Sequence, residues 1–302
     1  IKEFFAQLYA FPDVDAEPCS AGRSMNGHFG TRSIDEDGKW KNLMERKNSS
    51  ADISPTAGQM PRLLGLALAS KIYRNNENLN YLTDFSDKGN EVAFGTIGNA
   101  STSEGHFFET INAAGVLQVP MVISVWDDAY GISVHAKYQT TKENISEILK
   151  GFQRDANAPG YEIIVVNGWD YAALCEAYER GTAIARKEHV PVLIHVQELT
   201  QPQGHSTSGS HERYKSAERL AWEADFDCLK QMREWMIKME IADAATLDEM
   251  EAVAKKQVRT WQKEVWEAFN APIKTEIIVV SEIIQSIAST AVAPDLILAQ
   301  AQ

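Results

Sequence analysis

The sequence predicts an α/β protein in which a doubly wound, mainly parallel sheet is flanked by helices and followed by a helical C-terminal extension. Four short apolar runs, rich in β-branched residues, have the length of buried parallel strands: residues 91–97, 120–126, 161–166 and 191–196. Stretches with helical spacing alternate with these runs: residues 59–74, 103–118, 144–155 and 171–188. Strands that alternate with helices indicate parallel crossover units.

The segments outside this alternation predict the domain organisation. Residues 18–56 are rich in Gly, Ser, Asn and Asp without a sustained period, which is typical of a long loop region that carries function. From residue 212 the sequence changes to charged helical spacing, with a break expected at 241–246. We therefore expect an α/β domain over residues 1–211, a helical extension over 212–270, and a linker or terminal helix over 271–302.

Composition excludes several classes of protein. The chain of 302 residues is 44% hydrophobic, which is enough for a large core. A formal charge of −13 disfavours binding to nucleic acid or anionic lipid, and no apolar run approaches the roughly 20 residues that span a bilayer. The three cysteines lack CxxC spacing, which fits a reducing compartment. These features predict a cytoplasmic protein, and the opening Ile1 favours a polypeptide that extends further upstream.

Residues 98–130 have a layout suited to a metal-diphosphate. An apolar strand ends in the loop at Gly98, a helix follows, and the next apolar strand ends in Asp127 and Asp128. Parallel strands joined by a helical crossover usually lie side by side, so we expect Asn99 and Asp128 to meet on one ion. Mg²⁺ prefers oxygen ligands and takes few of them from the protein. An amide oxygen, a carboxylate and a main-chain carbonyl after Asp128 are available.

The hydroxyl groups that follow Ala100 fit the same interpretation. Ser101, Thr102 and Ser103 could cap the helix expected to begin near Glu104, whose N-terminus would attract a diphosphate. The alternative is structural. In that case Asn99 is a turn residue, Ser103 is an ordinary N-cap, and the two aspartates form a solvated turn.

Four segments resemble one family. The segments GNASTSEG (98–105) and WDDAYGIS (126–133) are similar to the thiamine-diphosphate motif in the alpha subunit of branched-chain 2-oxoacid and pyruvate dehydrogenases. The segment GHSTSGSHERYK (204–215) resembles the HSTS loop of that family, and SPTAGQMP (54–61) resembles its stretch beside the aminopyrimidine ring. The resemblance covers roughly residues 1–269. It implies the thiamine-diphosphate-binding fold.

The resemblance also implies a set of metal ligands. Asn99 matches a position that is usually an acidic ligand, and Asp128 matches a carboxamide ligand. The exchange keeps one carboxylate and one amide at the ion, so the charge of the ligand set is unchanged. Tyr130 matches the position whose main-chain carbonyl is the third ligand. The implied metal is Mg²⁺.

Further residues are implied as cofactor contacts. Gly98, Ala100 and Ser101 match positions that line the diphosphate, with Ala100 in place of a family glycine. Two residues match contacts on the pyrimidine side: Ser54 and Thr56. His205 is the catalytic candidate, because a histidine in the HSTS loop could hydrogen-bond the diphosphate or the reacting group. The alternative for His205 is a histidine on a surface loop.

By resemblance, the chain is the alpha part of a thiamine-diphosphate-dependent 2-oxoacid dehydrogenase. Such an enzyme oxidatively decarboxylates a branched-chain 2-oxo acid or pyruvate and transfers the acyl group to a lipoyl carrier in a multienzyme complex. The implied partners are a lipoyl acyltransferase and a beta subunit, or a fused beta half after residues 271–302, giving a heterotetramer type of assembly. The partner would supply the Glu that activates the aminopyrimidine. Two alternatives stay open: a non-catalytic assembly subunit and a transketolase-like transferase.

Overall fold

The computed structural model describes residues 1–51, 53, 55–205, 211–292, 295 and 299. The α-helices in this part of the chain are α1 (Lys2–Leu8), α2 (Met60–Asn75), α3 (Gly105–Leu117), α4 (Ile145–Ile148), α5 (Tyr171–Glu188), α6 (Ala217–Asp225), α7 (Cys228–Lys238) and α8 (Ala244–Thr290). The strands are β1 (Ala93–Gly98), β2 (Met121–Trp126), β3 (Tyr130–Gly131), β4 (Val134–His135), β5 (Glu162–Asn167) and β6 (Val192–Gln197).

Four of these strands form a parallel sheet in the order β1-β2-β6-β5. Each begins and ends within two residues of a predicted apolar run. Strands β1 and β2, which α3 connects, are direct neighbours in the sheet. The remaining pair, β3 and β4, forms a short antiparallel hairpin directly after β2.

Helices cover both faces of the sheet. On one face, α2, α3 and α4 pack against alternate residues of the central strands, including Ile123 and Leu193, which are fully buried. On the other face, α5 packs against Val122, Ile194 and their neighbours. Burying one such side chain stabilises the fold by about 1.5–3 kcal/mol. The predicted α/β architecture, a parallel sheet flanked by helices, is confirmed.

Two predicted helices differ in detail. The stretch expected at 144–155 forms only the four residues of α4 and then tightens into a 3₁₀ helix at Leu149–Phe152, where Gly151 has low helix propensity. The stretch expected from residue 103 begins instead with a 3₁₀ helix at Ala100–Ser103, and α3 starts at Gly105. The helix starts are local features that periodicity alone does not determine.

The chain divides into two compact units. One comprises residues 33–48 and 52–247 and contains the sheet; the other comprises residues 1–32, 49–51 and 248–302. Within the second unit, the ring of Tyr9 lies 5.0 Å from that of Trp266. The predicted break is confirmed between α7 and α8, and α8 continues through residues 271–290 as helix. The predicted domain limits at 211 and 270 stay a prediction. None of the described helices is both long enough and apolar enough to cross a membrane.

Candidate functional site

The register of the sheet brings the loop after β1 next to the turn after β2. Gly98 pairs with Trp126, and the N–H of Asn99 donates to the carbonyl of Trp126 at 2.9 Å. Further along, the hairpin packs on the first loop, since a methyl group added to Gly131 would lie 2.6 Å from the Cβ of Ala100. The loop after β1 and the turn after β2 therefore meet at the carboxyl end of the sheet.

Asn99 is buried with an amide group that lacks a full set of partners. Asn99 is 6% exposed, and its main-chain carbonyl accepts a hydrogen bond from the Thr102 hydroxyl at 2.6 Å. The side-chain Nδ2 has no hydrogen-bond partner among the described residues. Leaving a buried donor unsatisfied costs about 1–3 kcal/mol. Because the two ends of an amide have nearly the same shape, the group can offer its oxygen to a cation or its NH₂ to a phosphate.

The first aspartate after β2 has a structural role. Asp127 is 9% exposed, and its Oδ2 lies 2.9 Å from Nε2 of the fully buried His195. The other ring nitrogen of His195, Nδ1, lies 2.9 Å from the Ser146 hydroxyl. Asp127 Oδ1 accepts a hydrogen bond from the N–H of Ala129 at 2.8 Å. The alternative of a solvated turn is therefore wrong for Asp127, which instead anchors the turn to β6 and α4.

The second aspartate is half-buried, and the hydrogen bond that its side chain makes within the described part of the chain is local. Asp128 Oδ1 accepts a hydrogen bond from the N–H of Tyr130 at 3.1 Å, which makes an Asx turn. Burial raises the pKa of Asp128, the neighbouring Asp127 carboxylate adds to the rise, and the Lys215 ammonium opposes it. A carboxylate whose ionised form is disfavoured by burial is stabilised by a nearby cation. Asp128 therefore suits a hard metal ion.

The hairpin leaves the carbonyl of Tyr130 directed away from β4. The carbonyl of Ala129 accepts a hydrogen bond from the N–H of Ala136 at 2.8 Å, and Tyr130 lies opposite His135. Hydrogen-bonded and non-hydrogen-bonded pairs alternate along an antiparallel ladder, so the Tyr130–His135 pair is of the second kind. Ala129 makes the bend with φ +68°, in the left-handed region. A main-chain oxygen is thus available where the sequence predicts one.

The residues expected beside a diphosphate lie around the start of α3. Gly98 is exposed, and Ala100 and Ser101 are half-buried. Ser103 is not the N-cap: its hydroxyl donates to the Gln139 carbonyl at 3.2 Å, and α3 begins after Glu104 without a side-chain cap. The prediction of a serine cap was wrong because the 3₁₀ turn shifts the helix start by one residue, to Gly105, and Glu104 takes the N-cap position. The uncapped N–H groups suit an anion.

Of the two residues predicted on the pyrimidine side, the structure describes Thr56. The Thr56 hydroxyl donates to Glu104 Oε1 at 3.4 Å, which places Thr56 beside the start of α3. Ser54 lies outside the described residues.

His205 lies at an exposed position on the same side of the molecule as Tyr130. Its backbone N–H forms a hydrogen bond with the Tyr214 hydroxyl, and the Tyr214 ring lies 5.8 Å from the Tyr130 ring. The exposed ring leaves both interpretations of His205 open. The rest of the HSTS loop, residues 206–210, lies outside the described part of the chain.

Four further residues support the site but had no role predicted from the sequence: Ser146, His195, Arg219 and Glu223. Only the i,i+4 spacing of Arg219 and Glu223 gave a signal, and that spacing indicates no more than a helix-surface pair. Among the residues described, no three His, Cys, Asp or Glu side chains come together in an arrangement suited to a metal. The available donor set is therefore one carboxylate, one amide and one main-chain carbonyl.

Comparison with known proteins places this sequence in a family. The sequence model of the family described as "Dehydrogenase E1 component" matches residues 21–274. The alpha subunit of 2-oxoisovalerate dehydrogenase from Bacillus subtilis is 30% identical over 207 residues, which are 68% of this chain and 52% of the relative. The mitochondrial alpha 1 subunit from Arabidopsis thaliana is 28% identical over 217 residues, 71% of this chain and 38% of the relative.

The human mitochondrial alpha subunit of 2-oxoisovalerate dehydrogenase is 26% identical over 273 residues, which are 89% of this chain and 50% of the relative. The chain thus spans about half the length of the curated relatives it matches. The family match extends over the sheet, both loops at its carboxyl end, and helices α6 and α7. The chain belongs to the dehydrogenase E1 component family.

Proposed function

We propose that the chain is the alpha part of a thiamine-diphosphate- and Mg²⁺-dependent 2-oxoacid dehydrogenase. The enzyme decarboxylates a 2-oxo acid and passes the acyl group to a lipoyl carrier. The family match and the names of the relatives support this assignment. Because 2-oxoisovalerate is a branched-chain 2-oxo acid, those names favour a branched-chain substrate over pyruvate.

One observation carries the proposal. Asn99, with an unpartnered buried amide nitrogen, lies at the end of one parallel strand, and Asp128, with a pKa raised by burial, follows the neighbouring strand. Together with the outward carbonyl of Tyr130, they form a donor set of the kind that Mg²⁺ takes from proteins. The residues present therefore fit a metal-bound diphosphate.

The chain's residues have separate roles in this proposal. The Asn99 amide, the Asp128 carboxylate and the Tyr130 carbonyl hold Mg²⁺. The diphosphate rests against Gly98, Ala100 and Ser101 and the uncapped start of α3, which supplies backbone N–H groups. Two residues bind on the pyrimidine side: Ser54 and Thr56. When bound, thiamine diphosphate acts as the electron sink for decarboxylation.

His205 is proposed to hold or move a proton at the mouth of the site. An imidazole can donate or accept a hydrogen bond, and Tyr214 holds the backbone of His205 beside Tyr130. A histidine there can hydrogen-bond the diphosphate or the carbonyl oxygen of the substrate. Replacement by Asn would keep one hydrogen bond and remove the proton transfer.

The proposed site is one wall of a shared active site. A beta subunit, or a beta half in the same polypeptide, supplies the Glu that acts on the aminopyrimidine, and a lipoyl acyltransferase accepts the acyl group. A heterotetramer in the cytoplasm, within a multienzyme complex, belongs to the same proposal. The alternative is a non-catalytic assembly subunit that has kept the fold and lost the cofactor, motivated by the amide at position 99 in place of the usual acidic ligand. The transketolase-like alternative gains no support from the family match.

Calorimetric titration of thiamine diphosphate with Mg²⁺ into the full-length protein, with its beta part present, tests the proposal. The wild type should bind, and Asp128→Ala should weaken binding by at least about 100-fold, because the carboxylate ligand is lost. The matched control is Asp155→Ala, whose carboxylate accepts the N–H groups of Asn157 and Ala158 in a surface turn. Equal affinity of wild type and Asp128→Ala would contradict the metal assignment. A wild type that binds no cofactor would favour the assembly subunit.

A further inference from the structure

One arginine of helix α6, Arg219, contacts the turn after β2 that carries Asp128. Nη2 of Arg219 donates to the main-chain carbonyl of Asp128 at 2.9 Å and approaches the carbonyl of Leu199 at 3.4 Å. Nε of the same side chain donates to Glu223 Oε1 at 2.7 Å. The guanidinium also lies over the rings of Tyr130, at 5.7 Å, and Trp222, at 4.5 Å. A single planar group thus contacts the turn, Glu223 and two aromatic rings at once.

A buried ion pair fixes the position of that guanidinium. The side chains of Lys215 and Glu223 are 1% and 2% exposed, and Lys215 Nζ lies 2.7 and 2.8 Å from the two carboxylate oxygens of Glu223. Lys215 Nζ also lies 5.1 Å from the centre of the Tyr130 ring. Because Lys215 neutralises Glu223 independently, removal of Arg219 would not leave a buried carboxylate without a cation.

The hydrogen bonds of the turn show what Arg219 contributes. The carbonyl of Asp127 accepts the N–H of Leu199, and the carbonyl of Ala129 accepts the N–H of Ala136. Between them, the carbonyl of Asp128 is held by Arg219. With three successive carbonyls engaged, the peptide planes of the turn are fixed. None of these three bonds uses the Asp128 carboxylate or the Tyr130 carbonyl.

We propose that Arg219 is a positioning residue for the Mg²⁺ site: it holds the main-chain carbonyl of Asp128 and so presents the Asp128 carboxylate and the Tyr130 carbonyl to one ion. The inference rests on the function proposed above. The planar fork of an arginine can satisfy a carboxylate and two carbonyls at once, whereas the ammonium of a lysine cannot match all three directions.

The experiment is a titration of Mg²⁺ into the full-length protein with its beta part, at a fixed saturating concentration of thiamine diphosphate. Arg219→Gln should raise the Mg²⁺ concentration at half-saturation about 10- to 100-fold, as losses of groups that orient metal ligands do. Arg219→Lys should raise the same Mg²⁺ concentration by about threefold or more, because the lysine ammonium keeps the charge but cannot make all the hydrogen bonds of the guanidinium. The matched control is Arg180→Gln, which removes an arginine paired with Glu162 on the exposed surface of α5. It should leave half-saturation unchanged.

Thermal unfolding of the metal-free variants separates positioning from simple stabilisation. A merely structural role would lower the unfolding midpoint of Arg219→Gln and leave its Mg²⁺ half-saturation at the wild-type value, which would overturn the inference. If Arg219→Gln does not fold, unchanged half-saturation in Arg219→Lys would overturn it equally. A wild type without Mg²⁺-dependent binding would overturn both this inference and the proposed function. Binding by the wild type with no effect of Arg219 would overturn this inference alone.

Discussion

The two loops of the candidate site are held in place by different kinds of contact. The loop after β1 is organised by its neighbours in sequence and by the adjacent strand, through the bonds of Asn99 to Thr102 and Trp126. The turn after β2 depends on side chains from distant elements: His195 holds Asp127, and Arg219 holds the carbonyl of Asp128. The contacts that hold Asn99 are therefore local or come from the neighbouring strand, whereas the turn is assembled by side chains from distant elements. Distant substitutions should damage the turn more than the loop.

The largest loss of stability should come from a substitution of Glu223, which supports the turn through Arg219 and Lys215. Glu223→Gln leaves the Lys215 ammonium, with a side chain 1% exposed, without its counter-ion. Breaking a buried pair by removing one partner destabilises a protein by about 3–5 kcal/mol. The free energy of unfolding, measured by denaturant titration, should fall by that amount.

An exposed ion pair provides the control for Glu223. Glu147→Gln removes the partner of Lys150, whose side chain is 70% exposed, and should cost no more than about 1 kcal/mol. Equal losses of stability in the two variants would show that the Lys215–Glu223 pair does not support the turn.

A smaller loss of stability is expected for Asp127. Asp127→Ala removes the acceptor for both His195 Nε2 and the N–H of Ala129, and groups left unsatisfied in the core cost about 1–3 kcal/mol. Asp127→Asn keeps one oxygen and should lose less. Denaturation and Mg²⁺ titration should be compared for each variant. If Asp127→Ala abolished Mg²⁺ binding at unchanged stability, Asp127 would be the ligand and Asp128 the anchor, the reverse of the present assignment.

The smallest loss of stability should come from a substitution where the two loops touch, at Gly131. The added methyl of Gly131→Ala would lie 2.6 Å from the Cβ of Ala100 and 2.5 Å from Nε2 of Gln139. Overpacking of this kind costs about 1–3 kcal/mol, and we expect the lower end because the Gln139 side chain can move. In the background of Ala100→Gly, the same substitution should cost less. Additive losses in the double variant would show that the loops do not touch at these residues.

The fold could be predicted because its signals are local. The apolar runs that became the central strands β2 and β6 are buried on both faces, which makes them continuous apolar segments. The edge strands β1 and β5 expose residues such as Phe94 and Val165, and their β-branched residues predict them instead. The short helix α4 was overestimated because its apolar residues continue into a 3₁₀ turn at Leu149. The start of α3 was missed since a serine that precedes a helix can bond elsewhere, as Ser103 does with Gln139.

The site could be predicted only in part. The sequence order of strands and crossover helix predicted that the loops carrying Asn99 and Asp128 are neighbours, and the strand register agrees. That the two side chains share one ion stays a prediction. The sequence could not distinguish Asp127 from Asp128 in role, because the difference arises from His195, 68 residues away. Likewise, nothing in the spacing of Arg219 and Glu223 indicated that Arg219 bonds a carbonyl 91 residues distant. Such partners are set by packing and not by a local pattern.

The central claim is that Asn99 and Asp128 hold one Mg²⁺ together, and an exchange of the two side chains tests it most directly. Mg²⁺-dependent binding of thiamine diphosphate should be measured by calorimetry for Asp128→Asn alone and for Asp128→Asn combined with Asn99→Asp. The single variant removes the carboxylate from the ligand set and should bind at least about 100-fold more weakly. The double variant restores one carboxylate and one amide and should bind within about tenfold of the wild type. A double variant that binds no better than Asp128→Asn alone would contradict the shared site.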